Sequence, residues 1–160
     1  MNLIIEKVPR IKWYTDLHPF VSSLGDLVDD FVWRFDDVDA AAPFPAETEP
    51  GVWCLTGSEI RSLVSDHHLF SWAVISAIPG HDNKTSLSTT KHPFADGNPA
   101  FWTGSPEPQH PKAKFELVCW DASATLLIGA AEDIAAAFRT AYPEAVDLDR
   151  ENSDRDRTMR

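Results

Sequence analysis

Apolar residues recur at three- and four-residue spacing in three segments of the chain, and this spacing is typical of amphipathic helices. The segments are 17–28, 57–66 and 132–142. The second has the clearest beginning, because Thr56 and Glu59 fit a capping box while Leu55 and Ile60 fall at the positions of a hydrophobic staple. The pattern therefore predicts three helices.

Six other segments have the alternating or continuous apolar pattern of β-strands. They are 3–13, 31–35, 52–55, 70–78, 115–120 and 125–129. Pro9 interrupts the first segment, which favours an edge strand. The last two segments are joined by a short turn, which indicates an antiparallel hairpin. The order of elements predicts an α+β domain: a mostly antiparallel sheet of about five or six strands with three helices packed on it.

In two further segments the apolar residues follow neither the spacing of a helix nor that of a strand. Residues 147–160 carry nearly balanced charge and almost no apolar residues, which indicates a flexible charged tail after a single α+β domain at 1–146. Residues 80–112 form a long connection rich in proline, histidine and hydroxyl side chains. Connections of this length in a compact domain are usually functional or mobile. We expect an ordered excursion that aromatic residues such as Phe101 and Trp102 hold in place.

Charge and composition narrow the classes of partner. The chain has 160 residues, of which 43% are hydrophobic, as expected for one globular domain. Its 14 basic and 25 acidic residues give a net charge of −11, which argues against nucleic acids and anionic membranes as partners. The N-terminus lacks the pattern of a secretory signal, and no apolar run approaches the roughly 20 residues of a membrane span. We therefore expect a cytoplasmic protein.

Motifs of common catalytic sites do not occur in the sequence: there is no GxSxG, Walker A or GxGxxG pattern. Cys54 and Cys119 lie in apolar strands, where burial raises the pKa of a thiol, so packing is favoured over catalysis. The side chains of the adjacent His67 and His68 would diverge at a helix end. We expect no catalytic residue, no metal site and no cofactor.

The long loop keeps two other functions open. His81, His92 and His110 all lie within 80–112, together with aromatic residues, and ligand pockets combine aromatic side chains with a few polar groups. The alternative prediction is therefore an enzyme or small-molecule-binding protein whose site is formed by the 80–112 loop. A structural accessory domain without a discrete site is a third interpretation of the same pattern.

Acidic residues are concentrated in one part of the chain. Between residues 26 and 66 there are ten acidic residues but only two basic ones, Arg34 and Arg61, a local balance of −8. Such a run is either a solvated face or a docking surface for a basic protein, since complementary charge speeds association and selects partners. Trp102 either pins the long loop or anchors an interface. The residues predicted to contact a partner are Asp29, Asp30, Asp36, Asp37, Asp39, Glu47, Glu49 and Trp102.

The pair Asp36 and Asp37 is adjacent in a predicted strand, so the two carboxylates are expected on opposite faces, where they could not share a substrate. Solvated charge at the end of a strand is the simpler interpretation of each. We expect that reversing Asp36, Asp37 and Asp39 to lysine weakens partner binding and leaves the fold intact.

Three apolar runs carry a resemblance to known proteins. They are GVWCLTGSEI at 51–60, FSWAVISAIP at 70–79 and FELVCWD at 115–121. Over about 31–143 the chain resembles small uncharacterised bacterial α+β proteins, some of which are similar to the immunity proteins carried beside secreted toxins. The resemblance implies a protein that neutralises a nuclease or another basic toxin by covering its active site. Together with the charge, it predicts a non-enzymatic protein-binding module with a basic protein partner.

Overall fold

The structure is a computed structural model that describes residues 1–41, 44–80 and 87–158. Its strands are β1 (Leu3–Glu6), β2 (Phe31–Ala40), β3 (Trp53–Leu55), β4 (Phe70–Pro79), β5 (Phe115–Trp120), β6 (Ala124–Ile128) and β7 (Val146–Asp147). Its α-helices are α1 (His18–Leu24), α2 (Gly57–Ser65), α3 (Glu132–Ala141) and α4 (Leu148–Thr158). Short 3₁₀ helices occupy Gly25–Asp30 and Pro99–Trp102.

The seven strands form one sheet in the order β3-β2-β4-β5-β6-β1-β7, and every neighbouring pair is antiparallel. The predicted α+β class and antiparallel sheet are confirmed. The predicted numbers of strands and helices were too low, because β7 and α4 both lie in the C-terminal segment. The expectation that the first strand lies at the edge was also wrong: β1 ends before Pro9 and pairs with both β6 and β7.

Helices α1, α2 and α3 cover one face of the sheet, which we call the helix face. Except for Phe70 of β4, the buried strand residues in this core are odd-numbered, as the alternation of side chains requires. The largest fully buried side chains there are Phe20, Trp33, Phe35, Phe70, Phe115 and Phe138. The predicted capping box of α2 is confirmed, since Thr56 Oγ1 accepts a hydrogen bond from the Glu59 amide and the Glu59 carboxylate accepts one from the Thr56 amide.

The first helix is shorter than the predicted segment 17–28. Gly25, at φ 56°, follows α1 in a backbone conformation that favours glycine, and the chain continues as the first 3₁₀ helix. The predicted hairpin of β5 and β6 is confirmed. Asp121 and Ala122 both have positive φ in its turn, the geometry that suits the twist of an antiparallel pair.

The opposite face, which we call the loop face, is covered by the segment 87–114 and by α4. The apolar part of this cover packs on even-numbered strand residues. The buried apolar residues of this layer, from the strands and from their cover together, include Ile4, Val74, Phe101, Val118, Leu126 and Leu148. Phe101 therefore does hold the long connection on the sheet, as its aromatic character predicted.

The C-terminal segment differs from the flexible tail predicted at 147–160. Its residues 148–158 form α4, in which Leu148 and Asn152 are fully buried. The Asn152 amide donates hydrogen bonds to the carbonyls of Phe101 and Gly104, and Arg155 forms an ion pair with Glu6. Polar side chains hold this helix against the rest of the domain, and Leu148 is its only large buried apolar residue. The helix therefore has no apolar stripe that its sequence could reveal.

Helices that could cross a membrane do not occur among the described residues, because none is both long enough and apolar enough.

Candidate functional site

A row of polar side chains crosses the middle of the loop face. Arg34 of β2 is the cross-strand neighbour of Ser76 in β4, and Ser76 is the neighbour of Glu116 in β5. All three residues are fully buried. Burying charged groups in a sheet costs free energy unless partners satisfy them, so each charge in the row must be matched by a specific contact.

Arg34 is satisfied on all sides. Its Nε and Nη2 donate to the two carboxylate oxygens of Asp36 at 2.8 and 3.0 Å, and its Nη1 donates to the Leu87 carbonyl at 2.7 Å and to Glu49 at 3.2 Å. Burial opposes the guanidinium charge, but the hydrogen bonds and charge of Asp36 prevail, and the pKa of Arg34 is raised. The result is a buried bidentate ion pair in which Arg34 also donates a hydrogen bond to the backbone of the long loop.

Glu116 holds the far end of the same loop. Its carboxylate accepts hydrogen bonds from Ser76 Oγ at 2.9 Å and from the backbone amides of Gln109 and His110 at 2.8 Å each. Burial raises the pKa of this carboxyl, and the three hydrogen bonds oppose the rise. Glu116 therefore fixes this end of the loop by accepting hydrogen bonds from two successive backbone amides.

Asp36 and Asp37 contradict the expectation that they point to opposite faces. The pairing register of β2 with β4 shifts between Asp36 and Asp39, and Asp37 has a φ of 53°, which together mark a β-bulge. The Asp37 carboxylate accepts hydrogen bonds from the amides of Ala95 and Asp96 at 2.7 and 2.9 Å. Because the bulge adds residues to one strand, both carboxylates engage the long loop.

Two of the loop histidines approach this row, while His81 lies outside the described residues. His92 Nδ1 lies 3.1 Å from the Asp36 carboxylate, and its side chain is about half exposed. His110 is buried, with Nε2 3.0 Å from the Leu87 carbonyl, and its Nδ1 accepts a hydrogen bond from the Lys112 amide. Both rings therefore bind groups of the protein itself.

A group of three or more histidine, cysteine, aspartate or glutamate residues able to hold a metal ion does not occur in the described part of the chain. Of the adjacent pair, His67 contacts Asp16 and His68 contacts the Leu63 carbonyl. Burial raises the pKa of the Cys54 and Cys119 thiols, which keeps both in the unreactive protonated form.

The burial of His110 predicts a pH dependence. Burial lowers the pKa of this imidazole, while its hydrogen bond to Leu87 opposes the change and the charge of Arg34 adds to it. Below about pH 6.5 the unfolded chain binds a proton at this position more readily than the folded protein does, so stability falls on acidification by up to about 1.4 kcal/mol per pH unit. Urea unfolding at pH 7.5 and 5.5 should show this loss in the wild type and a smaller loss in His110→Gln. An equal loss in both proteins would contradict the assignment.

The residues predicted to contact a partner fall into two groups. Four of them are engaged within the protein. Asp36 is only 1% exposed. Glu49 accepts a hydrogen bond from Arg34, and Asp37 accepts one from the backbone of the long loop. Trp102 packs between Trp120 and Arg155, and the ring centroids of the two tryptophans lie 4.9 Å apart. Reversal of Asp36 and Asp37 would therefore disrupt the fold, contrary to the expectation from the sequence.

The remaining predicted contacts are exposed. Asp29 forms an ion pair with Arg61 at 2.7 Å and stays half exposed. Asp30, Asp39 and Glu47 are exposed and form no ion pair within the described part of the chain. These residues do not form one patch, because Asp30 immediately precedes β2 and Asp39 lies near its other end, about 30 Å away at the usual rise per residue.

Several acidic residues that are not among the predicted partner contacts lie around α2. Asp26 lines a groove of about 320 Å³ together with Arg61, and Glu59 and Asp66 line a second groove of about 340 Å³ beside Phe44 and Pro45. Glu47 follows Pro45 by two residues. We define the α2 acidic surface by its five carboxylates: Asp26, Asp29, Glu47, Glu59 and Asp66.

Comparison with family models, curated proteins and solved structures found no match, so the resemblance to immunity proteins stays a prediction.

Proposed function

We propose that this chain is a non-enzymatic protein-binding module that neutralises a basic partner, as an immunity-type inhibitor of a bacterial toxin does. The observation that carries the proposal is the α2 acidic surface. Between residues 26 and 66 the sequence contains only two basic residues; Arg34 is fully buried, and Arg61 is already paired with Asp29. Arg61 is the only lysine or arginine among the described residues that line the two grooves beside α2.

The engagement of the polar row supports binding over catalysis. General acid–base chemistry needs a titratable group that can reach a substrate. Asp36 and Glu116 are buried and bonded to the protein, and His110 is buried under the long loop. Asp36, Glu116 and His110 therefore serve to hold the loop on the sheet, and His92 is the titratable group of this site that stays about half exposed. The engagement of the other three groups weighs against an active site formed by residues 80–112.

Charge complementarity gives the proposed mechanism. A toxin that acts on nucleic acid must expose a positive surface to bind phosphates. An acidic surface on a folded inhibitor attracts that site over several ångströms, speeds the encounter and then excludes the substrate from it. The proposal places this action in the cytoplasm, where the two buried cysteines stay reduced.

A pair of charge-reversal variants tests the proposal. One variant changes Asp26, Glu47 and Asp66 to lysine, and its matched control changes three exposed acidic residues elsewhere, Asp96, Glu107 and Asp156, to lysine. Both variants undergo the same change of net charge. Each tagged protein is used to capture partners from the organism that encodes the chain, and the affinity for the captured protein is then measured by calorimetry.

We expect the wild type to retain a basic protein, the α2 variant to bind it at least tenfold more weakly, and the control variant to bind it within about threefold of the wild type. Raising the salt concentration should weaken the wild-type complex, because screening reduces attraction between exposed charges. Equal weakening in both variants would show that only the net charge matters. Unchanged binding in the α2 variant would remove this surface from the proposal.

A further inference from the structure

The second groove beside α2 has an apolar floor. Phe44, Pro45, Leu55 and Leu63 line it, and its volume of about 340 Å³ falls at the lower end of the range of ligand pockets, which is about 300–1,000 Å³. Phe44 is held in place by edge-to-face contacts with the rings of the helix-face core. The floor is therefore an extension of the core that reaches the surface.

The rim of the groove is polar and negative. Glu59 and Asp66 stand on it one at each end of α2, with Ser62 between them and His68 beside Asp66. None of the described residues that line the groove is a lysine or an arginine. An apolar floor with carboxylates on the rim is complementary to an apolar side chain that has cationic neighbours.

We propose that this α2 groove is the anchor site for the basic partner and takes one aromatic or long aliphatic side chain flanked by lysine or arginine. The proposal rests on the proposed function and specifies the chemistry of the partner at its point of contact. Binding energy in protein interfaces is concentrated in a few large side chains that fill pockets, and surrounding charges set orientation and rate. A second copy of this chain is disfavoured as occupant, because each copy carries a net charge of −11.

Three synthetic peptides and two protein variants test the inference. The probe peptide has one tryptophan with two lysines on either side. The second peptide has glycine in place of the tryptophan, and the third has glutamates in place of the lysines. Each is titrated into the ¹⁵N-labelled full chain while backbone amide signals are followed by NMR. Ser62→Trp fills the groove from an exposed position, and Ser62→Ala is its matched control.

We expect the tryptophan–lysine peptide to shift the amide signals of Phe44, Leu55 and residues 59–68, and the glycine peptide to bind at least tenfold more weakly. The glutamate peptide should not bind. Ser62→Trp should weaken binding of the first peptide at least tenfold, and Ser62→Ala should leave it unchanged.

Equal binding of the glycine and tryptophan peptides, shifts confined to other surfaces, or no binding of any peptide would overturn the groove as an anchor site. Those results would leave the acidic-surface proposal standing if the charge-reversal variants still discriminate. Equal binding of the lysine and glutamate peptides would instead count against both proposals, because neither would then depend on charge.

Discussion

Replacing Arg34 with methionine should lower the free energy of unfolding by about 3–5 kcal/mol, because it leaves the Asp36 carboxylate buried without its counter-charge. The Leu87 carbonyl loses one of its two donors in the same change and keeps His110 Nε2, so the long loop loses one of its attachments. Urea unfolding followed by circular dichroism measures the effect. The large expected value comes from the uncompensated charge and not from the strength of the ion pair itself.

The double variant Arg34→Met/Asp36→Leu is the matched control. Removing both charges takes away the desolvation cost together with the attraction, so the double variant should be more stable than Arg34→Met alone. If the double variant is less stable than the single one, or if Arg34→Met costs less than about 1 kcal/mol, then Arg34 does not stabilise the fold by neutralising the buried Asp36 carboxylate.

Ending the chain at Asp147 should lower the free energy of unfolding by about 3 kcal/mol or more, which corresponds to a fall in Tm of about 6–12 °C. The truncation removes Leu148 from the apolar cluster of the loop face and removes the Asn152 hydrogen bonds to the loop backbone. Leu148→Ala in the full chain should show most of the same loss, about 2–5 kcal/mol. Differential scanning calorimetry compares the proteins.

Asp156→Ala serves as the control within α4, because its side chain is exposed, and substitutions of this kind usually stay within about 0.5 kcal/mol. An unchanged Tm after truncation would restore the flexible tail that the sequence predicts. A loss on truncation without a loss in Leu148→Ala would mean that polar contacts alone dock the helix.

Elements with a strong local signal could be predicted from the sequence. The capping box at Thr56 and the apolar stripes of the first three helices depend on residues within one or two turns of one another, as does the hairpin of β5 and β6. Helix α4 had no such signal, because only Leu148 and Asn152 of its residues are buried and the rest of the helix is polar. Docking by long-range polar contacts leaves no period in the sequence.

The polar row left one trace in the sequence that could have identified it. Arg34, Ser76 and Glu116 each have an apolar residue on either side in their strands, and such positions on a covered face indicate buried partners. Their pairing depends on strand register across three strands, which the sequence did not specify. The bulge at Asp37 also changed which face a carboxylate occupies. As a result, Asp36 is buried while Asp37 and Asp39, close to it in sequence, are exposed.

Co-expression of the captured basic protein with this chain tests most directly whether the α2 acidic surface neutralises a toxin. The captured protein alone should arrest growth of a bacterial host, and the wild-type chain should restore it. The control variant with reversed charges at Asp96, Glu107 and Asp156 should also restore growth, while the variant reversed at Asp26, Glu47 and Asp66 should fail. Growth restored equally by both variants, or a captured protein that is harmless by itself, would contradict the account.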